Sequence, residues 1–195
     1  MIFNMAVEYT NRKGQTYYLH SGTTKTGRRH YYMSMTSPAQ PVDALTDGYE
    51  IWEEPSDAQV YVRKIKPTLV APEELELVKK LARKLAKTPH VIVEVEKNDI
   101  VVYAGDADEE SRFLDRLGAG DREAARRQLE QDQRYHRMFR FELLDGTRRN
   151  FSASRWCFLG SIDNWHMLMG GSGPLEELAA RYLPHLGDES FFELM

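Results

Sequence analysis

An α+β fold is predicted by three features of the sequence. Five short alternating segments precede residue 66, an amphipathic stripe follows Pro72, and further alternating pairs with interspersed helical patterns occupy the rest. Together they give an antiparallel sheet or small barrel in residues 1–66, a connector helix within 67–89, and an antiparallel α+β region in 90–195. At 195 residues the chain fits one domain or two small ones, so the two β regions are either separate or share one core.

Phe3, Met5, Val7 and Tyr9 alternate with polar or small residues, the two-residue period of a half-buried strand. After a turn at Asn11–Gly14, Tyr17 and Leu19 oppose Tyr18 and His20, and Tyr31, Met33 and Met35 alternate again, which completes an antiparallel meander. Strands four and five fall near Tyr49 to Glu53 and Gln59 to Ile65, joined by Glu54-Pro-Ser-Asp57. In the helix, Leu75, Val78, Leu81, Ala82 and Leu85 share one face. Pro72, Glu73 and Glu74 suit its positive end, and Lys79 to Lys87 its negative end, with Glu76 and Lys80 spaced to pair.

Val91 to Glu96 and Ile100 to Tyr103 read as a second hairpin, and Asp106 to Arg137 as polar surface helix broken at Gly118-Ala-Gly120, with Asp121 as a cap. Phe139 to Leu143 and Phe151 to Phe158 flank an Asp145-Gly146 turn, and Trp165 to Met169 adds a strand. Pro174 then opens a helix with Leu175, Leu178, Ala179, Tyr182 and Leu186 on one face. The tail holds Phe191, Phe192 and Leu194, too apolar to stand in water, and is expected to dock as a last helical turn.

Composition narrows the function classes. Hydrophobic residues at 42% and charged residues at 29% are globular values and argue against extended disorder. The opening MIFNMAVEYT has neither a basic leader nor a long apolar run, so a soluble, cytoplasmic protein with no membrane partner is expected. A single cysteine, Cys157, rules out an intrachain disulfide and a cysteine-based zinc site. The six histidines are scattered, only His20 and His30 can meet, and Asp106 to Glu110 lacks the glycine and distal glutamate of a calcium loop. Neither a metal nor a cofactor is expected. A net charge of −4 weighs against a general nucleic-acid binder, so any such binding has to be local.

The segment GTTKTGRRHYY, residues 22–32, concentrates that local charge. It is no phosphate loop: Arg28 and Arg29 stand where lysine and a hydroxyl are required, and strand-like residues follow where a helix must begin. Arg12, Lys13, Lys25, Arg28 and Arg29 are the only charged residues from Tyr9 through Val42, and Tyr17, Tyr18, His20, His30, Tyr31 and Tyr32 interleave with them. Aromatic faces beside cations suit stacked bases and tracked phosphates. The plain alternative is a structural hairpin whose charges are complemented by the acidic segment Asp43 to Asp57. Lys25, Arg28, Arg29, His30 and Tyr32 are the candidate binding residues.

Arg155 to Trp165 forms a second concentration, with Arg155, Trp156, Asp163 and Trp165 as an alternative pocket; packed aromatics around a turn would explain the same residues. A Cys157 nucleophile would need His136, His166 or Asp163 nearby, and a small buried hydrophobe is the commoner role for such a cysteine. The leading expectation is a non-enzymatic binding or adaptor protein that contacts nucleic acid or another anionic partner through residues 17–32. A small enzyme with its site at Arg155–His166 is the runner-up, and a protein-interaction module using the apolar tail is the third.

Overall fold

The computed structural model describes residues 7–40, 42–105, 133–158 and 163–195. Several sequence assignments lie outside the described residues: those on Phe3 and Met5, the acidic run from Asp106, the polar helices up to residue 132, and the turn residues 160–162. The described chain is α+β and divides into two compact units. One holds the residues up to Lys66 together with Gln133; the other holds 67–105 and 134–195.

In the first unit β1 (Glu8–Thr10), β2 (Thr16–Thr23) and β3 (Arg29–Ser34) form a three-stranded antiparallel sheet in the order β1-β2-β3. β4 (Tyr49–Glu53) and β5 (Val60–Lys64) form a separate antiparallel pair. Tyr17, Leu19, Met33 and Val60 make the buried core, and Val7, Tyr9, Ile51 and Val62 pack against it. Polar bonds among the described residues add to this cluster. The buried Asn11 amide supplies some: Nδ2 donates to the Ala58 carbonyl at 2.8 Å, and Oδ1 accepts from the Gln15 N–H at 2.8 Å. Arg12 donates to Glu53 at 2.7 Å and so joins the β1–β2 turn to β4.

The second unit begins with α1 (Pro72–Leu85), followed by β6 (Val91–Glu96), β7 (Asp99–Gly105), β8 (Tyr135–Asp145), β9 (Asn150–Cys157) and β10 (Asn164–Pro174). The five strands form one antiparallel sheet in the order β10-β9-β8-β7-β6, so each pairs with its sequence neighbour. α2 (Leu175–Tyr182) and 3-10 turns at Leu183–His185 and Glu189–Glu193 complete it. Ile100, Val102, Phe139, Phe141, Phe151 and Ala153 line one sheet face and share a core with Val78 and Ala82 of α1 and Leu178, Ala179 and Tyr182 of α2.

The start of α1 follows from its first turn. Pro72 has no N–H to satisfy, and the Ala71 N–H donates to the Glu74 carboxylate at 2.8 Å. Glu74 also accepts from Arg149 Nε at 2.8 Å, which fastens the helix to the β8–β9 hairpin. The surface pair on this helix is Glu76 with Lys79 at 3.0 Å, one residue short of the spacing expected from sequence. Tyr135 to Arg137, which read as the end of a polar helix, instead open β8 and pair with β7. Long-range partners outweigh local helical preference there: Arg137 pairs with Glu96 at 3.2 Å and lies 5.8 Å from the Tyr103 ring centre.

The C-terminal tail takes the expected helical turn, at Glu189–Glu193. Phe191 is buried and meets Phe139 edge to face at 5.1 Å, while Phe192 points outward. Arg155 Nε donates to the Leu194 carbonyl at 2.6 Å, and the Met169 N–H to the Met195 carbonyl at 2.8 Å. Phe191→Ala is therefore expected to cost about 3–5 kcal/mol of unfolding free energy, as for other buried phenylalanines. Phe192→Ala should stay within about 0.5 kcal/mol. Urea denaturation of both variants checks this, and equal losses would contradict the burial assigned to Phe191.

Candidate functional site

The β2–β3 hairpin carries the first set of candidate residues. Its register pairs His20 with Tyr32, Ser21 with Tyr31, Gly22 with His30 and Thr23 with Arg29. Because side chains alternate along a strand, Tyr17, Leu19, Tyr31 and Met33 fall on one face and Tyr18, His20, His30 and Tyr32 on the other. The first face closes over the core: Tyr17 and Leu19 are buried, and Tyr31 meets Tyr49 edge to face at 5.6 Å. On the second face three rings form a ladder. His20 and Tyr32 stack at 5.0 Å and 18°, and His30 and Tyr32 at 5.7 Å and 21°.

The tip between the strands is a tight turn closed by Thr24. Its N–H donates to the Arg28 carbonyl at 2.8 Å, its carbonyl accepts from the Gly27 N–H at 2.9 Å, and its hydroxyl accepts from the Arg28 N–H at 3.1 Å. Gly27 adopts φ +78°, which a residue with a side chain takes only under strain. Lys25, Arg28 and Arg29 are exposed and form no ion pair among the described residues. Arg29 leaves on the Tyr31 side, 5.9 Å from that ring centre, whereas His30 and Tyr32 leave on the ladder side. The hairpin thus gathers His30 and Tyr32 on one face, sets Lys25 and Arg28 at the tip, and turns Arg29 to the far side.

The acidic segment complements only part of the basic charge. Glu53 takes Arg12, and Glu50 takes Arg63 at 2.7 Å, while Arg63 also stacks 4.5 Å from the Trp52 ring centre. The tip cations keep no such partner among the described residues. Tyr32 lies between the two histidines, so His20 and His30 both face a phenol ring.

The second set divides between the two faces of its sheet. Trp156 and Trp165 sit opposite each other on β9 and β10 and meet edge to face at 5.0 Å. Arg155, adjacent to Trp156 in the strand, projects to the opposite face and holds the Leu194 carbonyl. Asp163 is exposed just before β10, and Cys157 is buried. Around the tryptophans lies a polar sheet face that sequence patterning did not single out. Arg140 stacks 5.2 Å from the Trp165 ring centre and pairs with Glu142 at 3.3 Å and Asp99 at 3.8 Å, and the small buried hydroxyls Ser152 and Ser154 lie across β9. Tyr103 donates its hydroxyl to Glu96 on the same face, and burial together with that carboxylate pushes its pKa up.

No protein-family model matches the chain, and no match was found among curated proteins or among solved structures. No helix among the described residues is long and apolar enough to cross a membrane.

Burial raises the Asp99 pKa, with Glu142 and Glu96 adding to the rise and Arg140 opposing it. The folded protein therefore keeps this proton to higher pH than the unfolded chain. The associated stability is present below the ordinary aspartate range and is lost as pH rises through the raised value. Asp99→Asn should gain stability relative to wild type as pH rises from below the ordinary aspartate range through the raised value, read in urea titrations. A difference that is flat or reversed with pH would show that the Arg140 pair outweighs the desolvation.

Proposed function

We propose that this protein is a non-enzymatic binding or adaptor protein whose β2–β3 hairpin contacts an anionic partner, nucleic acid first among them. The observation that carries this reading is the ring ladder His30–Tyr32–His20, exposed at His30 and Tyr32, beside tip cations that form no ion pair among the described residues. Charge supports it. Between Tyr9 and Val42 the sequence holds five bases and no acid, and only Arg12 of these is paired with an acid among the described residues. Cations left in solvent at a hairpin tip add little to stability, and they are free to displace the counterions of a polyphosphate. Ring edges and faces next to such cations are the usual means of holding nucleic acid without reading its sequence.

The reading is tested by fluorescence anisotropy with labelled single-stranded and duplex DNA and RNA over a salt series. Wild type is compared with Lys25→Ala/Arg28→Ala/Arg29→Ala. The wild type is expected to bind with affinity that falls as salt rises. The triple variant, which changes three exposed residues at and next to the tip, should keep the wild-type unfolding midpoint and show a single-strand salt slope shallower by about 1–2, the upper figure if Arg29 also meets a phosphate. Absence of binding at low salt, or equal binding by the triple variant, would reduce the hairpin to a structural turn.

A further inference from the structure

We infer that the ligand-facing end of the ring ladder is the open face of His30, that it stacks one unpaired base, and that Gly22 is the residue that positions it. This deepens the nucleic-acid reading of the hairpin and rests on it.

Tyr32 is the shared neighbour of both histidines, near-parallel to each. His20 stands across the sheet from it and is anchored away from the tip, its Nε2 hydrogen-bonded to the Thr36 carbonyl at 2.8 Å. His30 stands two residues nearer the tip on the same strand. The phenol is therefore held between the two imidazoles, and the ring faces left for a ligand are the outer ones. At the His20 end the ring is tied to the backbone. At the His30 end the ring is exposed, and the strand runs directly into the turn that carries Lys25 and Arg28.

The seat of His30 is made by the absence of a side chain. Gly22 lies directly across from it, and a Cβ built on Gly22 would come 2.6 Å from Cε1 and 3.2 Å from Nε2 of the imidazole. The ring therefore lies over the glycine backbone, in the space a side chain would fill. A side chain at 22 forces the ring to shift from this seat, and because only the far end of one exposed side chain has to move, the strand pairing survives. β-branched residues suit strands well, so Gly22→Val disturbs the ladder rather than the fold.

The chemistry of that end selects its ligand. A base inside a duplex already has both faces covered by its neighbours, whereas an unpaired base offers a face to an aromatic ring, and every base has one. The occupant is accordingly a single strand, with one base on His30 and its phosphates toward the tip cations.

The test uses the full chain and two labelled probes of equal charge: oligodeoxythymidylate of about 10 nucleotides and a fully abasic strand of the same length. Wild type, Gly22→Val, His30→Ala and His30→Trp are titrated with each. Wild type is expected to prefer the base-bearing strand by roughly tenfold. Gly22→Val and His30→Ala should bind both strands alike with the wild-type salt slope, and His30→Trp should keep the preference. In the ligand-free protein, the ring-current shift of the His30 proton resonances should vanish in Gly22→Val while the unfolding midpoint holds. Equal binding of the two probes by wild type, or a preference that survives in His30→Ala, overturns the inference and leaves the nucleic-acid reading standing. A preference lost in His30→Ala but kept in Gly22→Val removes Gly22 from it. If wild type binds neither strand at low salt, the reading itself falls and the inference falls with it.

Discussion

In an extended strand successive side chains leave on opposite sides, and both units of this protein are organised by that alternation. It sends Tyr17 into the core and Tyr18 to the other face, Tyr31 toward Tyr49 and Tyr32 into the ladder. The same rule separates Arg155 from Trp156. One pins the tail at the Leu194 carbonyl, and the other meets Trp165 across the strand pair. Phe139 and Arg140 divide likewise, the phenyl ring into the core beside Tyr182 and Phe191, the guanidinium over Trp165 among carboxylates. A shift of one residue in any of these registers would exchange core for surface along the whole strand, so burial of one face fixes the position of every group on the other.

What alternation leaves open is settled by charge pairing. Among the described residues of the first unit, Tyr17, Leu19, Met33 and Val60 form the buried hydrophobic cluster, and polar bonds add to it in joining the two hairpins. Arg12 and Asn11 bond to Glu53 and to the Ala58 carbonyl. Glu53 is thereby committed, and Glu50 is committed to Arg63. The acidic stretch that follows the basic one thus neutralises its beginning and its own strand pair, and the hairpin tip remains positive for want of a partner among the described residues. The overall charge of −4 says nothing against this, because opposite charges within a few ångströms of each other cancel locally and distant ones are screened within about 10 Å.

The fold was legible in the sequence wherever apolar residues kept a clear period. β4 and β5 lie within a residue of their expected limits, α1 starts at Pro72, and the tail turns helical around Phe191. Tyr135 to Arg137 were misread because their neighbours on the N-terminal side are polar and helix-favouring, and the partners that hold them, Glu96 and Tyr103, are more than thirty residues away. The candidate site was legible as a list of residue types and not as an arrangement. That bases and rings alternate over 17–32 is plain from the sequence, but which rings stack depends on cross-strand register, and that is set by the turn Thr24–Arg28. The polar face around Arg140 was passed over for a related reason. Arg140, Glu142, Ser152 and Ser154 each look like the ordinary solvent-side residue of a half-buried strand, and only the pairing of β8 with β9 reveals that two of them are buried hydroxyls beside an arginine.

The arginines of this chain give a further reason to look at the hairpin tip. Arg12 holds Glu53, Arg63 holds Glu50, Arg149 holds Glu74, Arg155 holds a backbone carbonyl, and Arg181 donates to the Gly170 carbonyl at 3.0 Å. Each of these guanidiniums satisfies donors against a fixed acceptor and thereby joins two elements, which is how arginine contributes to a fold. Lys25 and Arg28 join nothing among the described residues, and the turn they occupy is built from Thr24 and Gly27, whose hydrogen bonds and φ do not depend on either side chain. The described turn therefore places no demand on the identity of these two positions. The demand on Gly22 comes from a ring rather than from the backbone, since its φ is not left-handed and its strand would accept a side chain but for His30. Lys25 and Arg28 thus carry like charge on a turn whose described bonds use neither side chain, beside a glycine whose missing side chain leaves room for an exposed imidazole.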